Sequence, residues 1–402
     1  STPKNKKQQI FDIDKKLKHR VQVGLAQQSM NRDTLRLIQR DNIFTNEQYI
    51  EFIKELERRK KVPGCELIIP LPNESKQTYF DSTKGLLDAG VSVGTYTLMM
   101  LQGAELGRDE AIKKYDMKAK WRIVPRDFGN YRGKKVFDVE RVCVGTNTMP
   151  YNDYLECRRF SFLINLFTYS VFFPLKKLIK KELNISFFDF VWIIFQKLEK
   201  SNKQNELKSE FTKLYFEFSN ESESELFETK EGIYDFYSKE ENYKKLVSAE
   251  LGDNLTRKYA AIMISNALSE IMDLSIDLIP QMIKGDEVKK DEINAILSSS
   301  RSWLRNLYIF DAIFDYEREK ENEVTISLEY DLPRWYLNDD ESIFNLKKKI
   351  DYKMTYNDSN EHLNNELISL FGKGDKIFAV GKYFHQMQTN IKSIQRTATP
   401  QN

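Results

Sequence analysis

Between residues 20 and 100, short apolar runs alternate with amphipathic helical stretches, and this alternation limits the fold more than any other feature. Val21–Leu25, Glu66–Leu71 and Val91–Met99 read as strands. Glu66–Leu71 is almost continuously apolar, so both of its faces need cover. The intervening segments supply it. Asn31 is placed to cap a helix that carries Leu35 and Ile38 on one face. Thr45, with Gln48 three positions on, opens a second helix with the stripe Tyr49, Ile50, Ile53 and Leu56, stopped by Pro63-Gly64. A third runs from Ser75 to Asp88, turning Tyr79, Thr83, Leu86 and Leu87 inward, with Gly90 as its stop. Strands joined by helices pair in parallel through crossovers. Residues 20–150 are therefore expected to be an α/β domain behind an N-terminal segment, residues 1–19.

From about Asn152 the pattern turns helical, with expected helices at Arg158–Glu182, Ser186–Lys200, Glu206–Phe218 and Leu255–Ile283. A strand at Val324–Tyr330 leads into Pro333-Arg334-Trp335, and Arg396–Asn402 reads as a disordered tail. Residues 151–402 are thus expected to form a mainly helical domain. The polar stretches Asn202–Glu206 and Asn357–Asn365 read as loops or helix ends.

In 402 residues, 62 basic side chains nearly cancel 60 acidic ones, a net charge of +2 that points to no nucleic-acid partner. The greasiest run, Phe160–Phe173, is broken by Asn165 and followed by Pro174, which suits a buried helix better than a span of about 20 apolar residues. Cys65, Cys143 and Cys157 are too scattered for a disulfide framework, so a reducing cytoplasm is expected. Buried structural thiols are the simplest reading of all three.

Parallel α/β sheets bind ligands beyond the carboxyl ends of their strands. Three such ends are legible: Gln27-Gln28-Ser29, Pro70-Leu71-Pro72-Asn73-Glu74-Ser75 and Leu98-Met99-Met100-Leu101. In the second, two prolines fix the turn and Glu74 arrives where a helix opens, free either to meet a ligand or to cap its own helix. Arg122 and Arg126 bracket Pro125 and read either as forks for a substrate phosphate or carboxylate or as structural ion pairs.

The series Gln28-Ser29-Met30, Thr34-Leu35, Ile38-Gln39-Arg40 and Asn42 resembles the fourth-strand region of radical S-adenosylmethionine (radical SAM) enzymes of the cobalamin-associated class. Glu66–Ser75 resembles the fifth-strand motif of that class, and Leu86–Gly90 with Leu101-Gln102-Gly103-Ala104-Glu105-Leu106 its sixth-strand region. Lys114-Tyr115, Trp121-Arg122, Pro125-Arg126 and Phe128-Gly129 resemble the connection after the barrel. The resemblance covers residues 20 to 160. It implies a partial (β/α) radical SAM barrel of about three parallel strands, followed by a helical domain that covers the barrel mouth. It implies S-adenosylmethionine contacts from Gln28, Ser29, Ile68, Pro70, Glu74, Leu98 and Met99, and substrate contacts from Arg122 and Arg126. Ile68 and Leu98 read equally as core.

The class holds a 4Fe-4S cluster on three cysteines spaced C-x3-C-x2-C, and many members bind cobalamin through a DxHxxG loop. Neither pattern occurs here. The resemblance therefore implies that cluster ligands, and any cobalamin domain, lie upstream, in a missing amino-terminal half. The expected activity is radical chemistry on a small-molecule substrate, methyl transfer or rearrangement, with a reductase as electron donor and with this chain inactive alone. A non-catalytic module of the same fold and an unrelated α/β enzyme stand as the other readings. A cut barrel would expose an unpaired edge near Arg20 and favour aggregation.

Overall fold

The computed structural model describes residues 12–13, 15–18, 27–40, 47–48, 50–51, 54, 64–203, 208–283, 287–308, 323–356 and 394–401. The strand expected at Val21–Leu25, most of the helix expected from Thr45, and the stretch 357–365 lie outside these residues. The protein is α/β with mixed sheets. It divides into two compact units, Ser1–Asn165 with Glu223–Ser238, and Leu166–Ser222 with Lys239–Asn402.

The first unit is built on parallel pairing. Asn31 caps α1 (Arg32–Leu37), its side chain accepting the amides of Asp33 and Thr34. Strand β1 (Gly64–Ile69) is followed by α2 (Lys76–Asp88) and then β2 (Ser92–Thr97). β1 and β2 pair in parallel from Gly64↔Ser92 to Ile69↔Thr97. Gln28 joins the other edge of β1 in the same sense, opposite Leu67. Its amide donates to the Glu66 carbonyl at 2.8 Å, and the Ile68 amide donates to the Gln28 carbonyl at 2.9 Å. The three strand ends thus lie in parallel order where they are described. Ser75 and Thr78 close a capping box on α2, and Tyr79, Thr83, Leu86 and Leu87 are buried as their spacing predicts. Gly90, at φ 84°, takes the left-handed turn that ends this helix.

Beyond β2 comes the short α3 (Asp109–Lys114), then a long hairpin, β3 (Lys118–Tyr131) and β4 (Lys134–Gly145). The hairpin is antiparallel with a bulge between Ile123 and Phe128. Arg132 and Gly133, both at positive φ (54° and 88°), form its two-residue turn, the left-handed geometry that matches strand twist. Residues after β2 add to β4: Met99 lies antiparallel to Val142, the Cys143 amide donates to the Leu98 carbonyl and the Met100 amide to the Arg141 carbonyl, each at 2.8 Å. The described strands of this unit form a mixed sheet and do not by themselves trace a barrel. Helix α4 (Tyr151–Leu166) follows.

The second unit is mainly helical. The single helix expected over Arg158–Glu182 is interrupted: α4 stops at Leu166, a 3-10 turn spans Ser170–Phe172, and α5 (Phe173–Lys177) runs into a π-helical turn, Leu178–Glu182. Pro174 is the physical reason, since a residue without an amide proton fits only a helix's first turn. Pro280 acts alike, ending α-helical geometry at Leu278 within the stretch expected to reach Ile283. The longer helices are α6 (Phe187–Lys203), α7 (Glu210–Ser224), α8 (Lys230–Tyr237), α9 (Glu240–Val247), α10 (Leu255–Leu278) and α11 (Glu287–Leu307). Of these, α8 belongs to the first unit. α10 packs against both α6 and α11.

Strand β5 (Glu323–Tyr330) lays Ile326, Leu328 and Tyr330 inward and packs on α11. After α12 (Leu332–Leu337), β6 (Lys347–Thr355) pairs antiparallel with β5, and β7 (Thr397–Pro400) pairs antiparallel with β6. The expectation of a disordered tail is therefore corrected. Backbone pairing from Tyr352↔Pro400 to Thr355↔Thr397 orders a segment whose side chains carry no apolar signal. No single described helix is long and apolar enough to cross a membrane.

Candidate ligand site

The site is the carboxyl-terminal edge of the parallel strands, and Glu74 is its centre. The turn after β1 folds back by the Glu74 amide donating to the Leu71 carbonyl at 3.0 Å, with Asn73 at φ 65°. This drops the Glu74 side chain into the protein, where only 2% of the residue is exposed. Ser29 Oγ, from the neighbouring strand end, donates to Glu74 Oε2. Thr78 Oγ1 donates to Glu74 Oε1 at 2.7 Å. Ser29 Oγ in turn accepts the Asn31 amide at 2.9 Å, and Thr148 Oγ1 donates to the Glu74 carbonyl at 2.9 Å. The Glu74 carboxylate thus ties the start of α1 to the start of α2, and its main-chain carbonyl holds the loop after β4. Burial pushes the Glu74 carboxyl above the ordinary carboxylate range, and the two hydroxyl donors pull the other way.

Both oxygens of Glu74 are engaged by this chain's own hydroxyls, so its geometry is that of a tie between loops. Of the other expected contacts, Ser29 is 2% exposed and shares that tie. Gln28 sits at φ 68°, its backbone bonded to β1. Pro70 is buried behind a cis bond from Ile69. Ile68, half-buried, packs against a cluster of Leu71, Leu98, Met100, Met117 and Cys143. Leu98 donates its amide to the Ile69 carbonyl at 2.7 Å and its carbonyl accepts from Cys143, so its backbone is already used. Met99 is different. In this type of antiparallel pair, its own amide and carbonyl point away from β4, and its side chain is 44% exposed.

Strand alternation assigns the hairpin side chains to two faces. Cys143 packs with Leu98, Met100 and Ile68, which fixes one face; Arg141, two residues earlier, shares it. Arg122 stands opposite Glu140 and so lies on the other face. There Arg122 Nε donates to Glu140 Oε1 at 2.5 Å, while Arg158 of α4 reaches Glu225 at 2.7 Å. Arg122 also lies 3.7 Å from Glu225. Of the two readings of Arg122, substrate fork or structural ion pair, the geometry has the ion pair: its side chain pairs with Glu140 on the face away from Ile68. Burial opposes its charge and Glu225 and Glu140 more than restore it, raising its pKa. Arg126 is exposed within the bulge at φ 69° and is not brought to the strand ends by the hairpin pairing. Replacing Arg122 with methionine should cost about 3 kcal/mol by stranding Glu140, and leave ligand affinity unchanged, as read by denaturant titration beside a binding isotherm.

Two residues were missed by sequence reasoning. Gln27 is 2% exposed and its Nε2 has no hydrogen-bond partner among the described residues. Because Gln28 pairs with Leu67, Gln27 takes the register position of the Ile68 face. Arg141, on the same face, also has a buried Nε with no hydrogen-bond partner. Neither carried a local signal, since each takes its place from register with a distant residue, Arg141 with Met100 and Gln27 with Leu67.

The three cysteines are buried and free, and no group of three or more His, Cys, Asp or Glu among the described residues is arranged to hold a metal ion. Desolvation raises the Cys143 thiol to about 11 and the Cys157 thiol well above its usual value. The sequence matches no protein-family model and no curated protein.

Proposed function

We propose that this chain is the carboxyl-terminal portion of a radical SAM enzyme acting on a small-molecule substrate, with methyl transfer or rearrangement at an unactivated carbon as its outcome. The observation that supports the reading is the parallel order of three strand ends, Gln27–Ser29, Pro70–Ser75 and Leu98–Leu101, with the first two joined through Ser29 and Glu74. A cluster held on residues outside this chain would supply the electron that cleaves S-adenosylmethionine into methionine and a radical able to remove hydrogen from carbon. Cobalamin would likewise be held elsewhere.

The chain's own residues have simpler tasks. Ile68 offers apolar surface to a purine, and the Met99 backbone, just beyond β2, offers a donor and an acceptor. Gln27 Nε2 is a buried donor awaiting an acceptor. Glu74 and Ser29 hold the loops that carry these groups and keep them in register. The mainly helical second unit would choose the substrate.

The test is reconstitution. The 402-residue chain is mixed with a segment carrying C-x3-C-x2-C and a reconstituted cluster, then given S-adenosylmethionine and a reductant without oxygen. Formation of 5′-deoxyadenosine above the level of the segment alone is expected. Failure of the mixture to bind S-adenosylmethionine would overturn the reading, and binding without cleavage would favour a non-catalytic module of the same fold.

A further inference from the structure

The face of the first unit's sheet that carries Ile68 presents a guanidinium, Arg141, with no ion-pair partner among the described residues. By contrast, Arg122 Nε donates to Glu140 at 2.5 Å on the opposite face of the hairpin, and Arg158 of α4 reaches Glu225 through Nη2 at 2.7 Å. Arg141 has no such partner. Its Nε is shielded from solvent without a hydrogen bond, and no carboxylate among the described residues pairs with its guanidinium. A desolvated charged donor without an acceptor is costly, and proteins retain one where something else supplies the acceptor.

Arg141 is also firmly placed. Its backbone stands opposite Trp121 in the hairpin, and its carbonyl takes the Met100 amide at 2.8 Å, immediately beyond the third strand end. Its charge is close enough to favour the thiolate of Cys143. The same face carries Ile68, half-buried, and Tyr96, which is 57% exposed although aromatic. Tyr96 belongs to this face because Thr95 and Thr97, its neighbours on β2, bond to Tyr79 of α2 and Tyr154 of α4 on the other.

We infer that Arg141 is the anion-binding residue of this site, and that its substrate is a carboxylate or phosphate carried on an apolar body. A guanidinium offers a planar fork to either anion, while Ile68 and Tyr96 offer apolar surface beside it. The assignment of the anion to the substrate rests on the radical SAM reading above, in which S-adenosylmethionine brings a carboxylate of its own.

The probe is inorganic phosphate, titrated at constant ionic strength into the full chain labelled with 15N-arginine. The Nε–Hε signal lost in Arg141→Lys identifies Arg141. A saturable shift of that signal is expected, with phosphate binding weakened about tenfold or more in Arg141→Met. No saturable shift, or undiminished phosphate affinity in Arg141→Met, would overturn the anion site. Arg141→Lys, which keeps charge and bulk but not the fork, serves the same purpose should the methionine variant misfold; it should bind phosphate more weakly than the parent, and equal binding counts against the site. S-adenosylmethionine is added separately, with the cluster-bearing segment present. If it alone shifts the Arg141 signal and displaces phosphate, the anion is the cofactor's and the substrate assignment falls. Phosphate binding at Arg141 without any S-adenosylmethionine binding would sink the radical reading and leave the anion site standing.

Discussion

Replacing Lys258 with methionine is expected to destabilise the second unit by about 3–5 kcal/mol. The Lys258 side chain is only 6% exposed, and its ammonium donates to both oxygens of Glu221, at 2.8 and 2.6 Å, and to the Glu250 carbonyl at 2.7 Å. Its three protons are all used. Tyr259 donates its hydroxyl to Glu221 Oε2 at 2.7 Å, and burial first, then Glu221, raise the tyrosine's own pKa. Methionine fills the lysine's volume but strands the Glu221 charge beside α10. The double variant Lys258→Met/Glu221→Gln removes that charge while keeping an acceptor for Tyr259. It should regain more than half of the loss in a urea titration. Additive losses in the two single variants would show that the pair is not coupled and would defeat this account.

Glu74→Ala is expected to cost about 3 kcal/mol and, on the proposed function, to abolish S-adenosylmethionine binding, because the hydroxyls of Ser29 and Thr78 lose a common acceptor and the two loops part. Glu74→Gln should stay within about 1 kcal/mol of the parent at pH 5, since a rotated Thr78 hydroxyl can accept from the new amide. The pH dependence follows from the raised carboxyl pKa. Between the unfolded and folded values the folded protein binds more protons, so this group's contribution is fully present below the unfolded pKa and is lost as pH rises through the folded one. The stability difference should therefore shift in favour of Gln between pH 4 and pH 7. Denaturation midpoints of the two proteins at both pH values decide it; a pH-independent difference would show that the Glu74 pKa is not raised.

The parallel core was legible because its signals are local. Asn31, Ser75 and Gly90 each act within one turn of chain, and Tyr79, Thr83, Leu86 and Leu87 repeat at helical spacing. The hairpin was not legible. β3 carries Lys118, Lys120, Arg122 and Asp127, whose charges mask an alternation that only its pairing with β4 makes sense of. The same blindness left Arg122 open between an ion pair and a substrate fork, because proximity to Pro125 says nothing about which face a strand residue takes. Arg141 and Gln27 depend on register with distant residues, Met100 and Leu67, and register is a tertiary fact. β7 shows the limit from the other side: Thr397–Pro400 has no apolar pattern, and its order comes wholly from the β6 backbone.

The first unit is not contiguous: residues 166–222 intervene before Glu223–Ser238 returns to it. That return carries Glu225, which answers Arg158, and Phe227, whose amide and carbonyl bond to Trp121 at 2.7 and 2.8 Å. During synthesis on the ribosome these groups emerge long after the hairpin they complete. Vectorial, amino-end-first maturation is therefore denied to this half of the molecule; until residue 238 has cleared the exit tunnel, Arg158 waits for Glu225 and Trp121 for its two backbone bonds to Phe227, and a nascent chain stalled near residue 200 should be open to protease within β3 and β4.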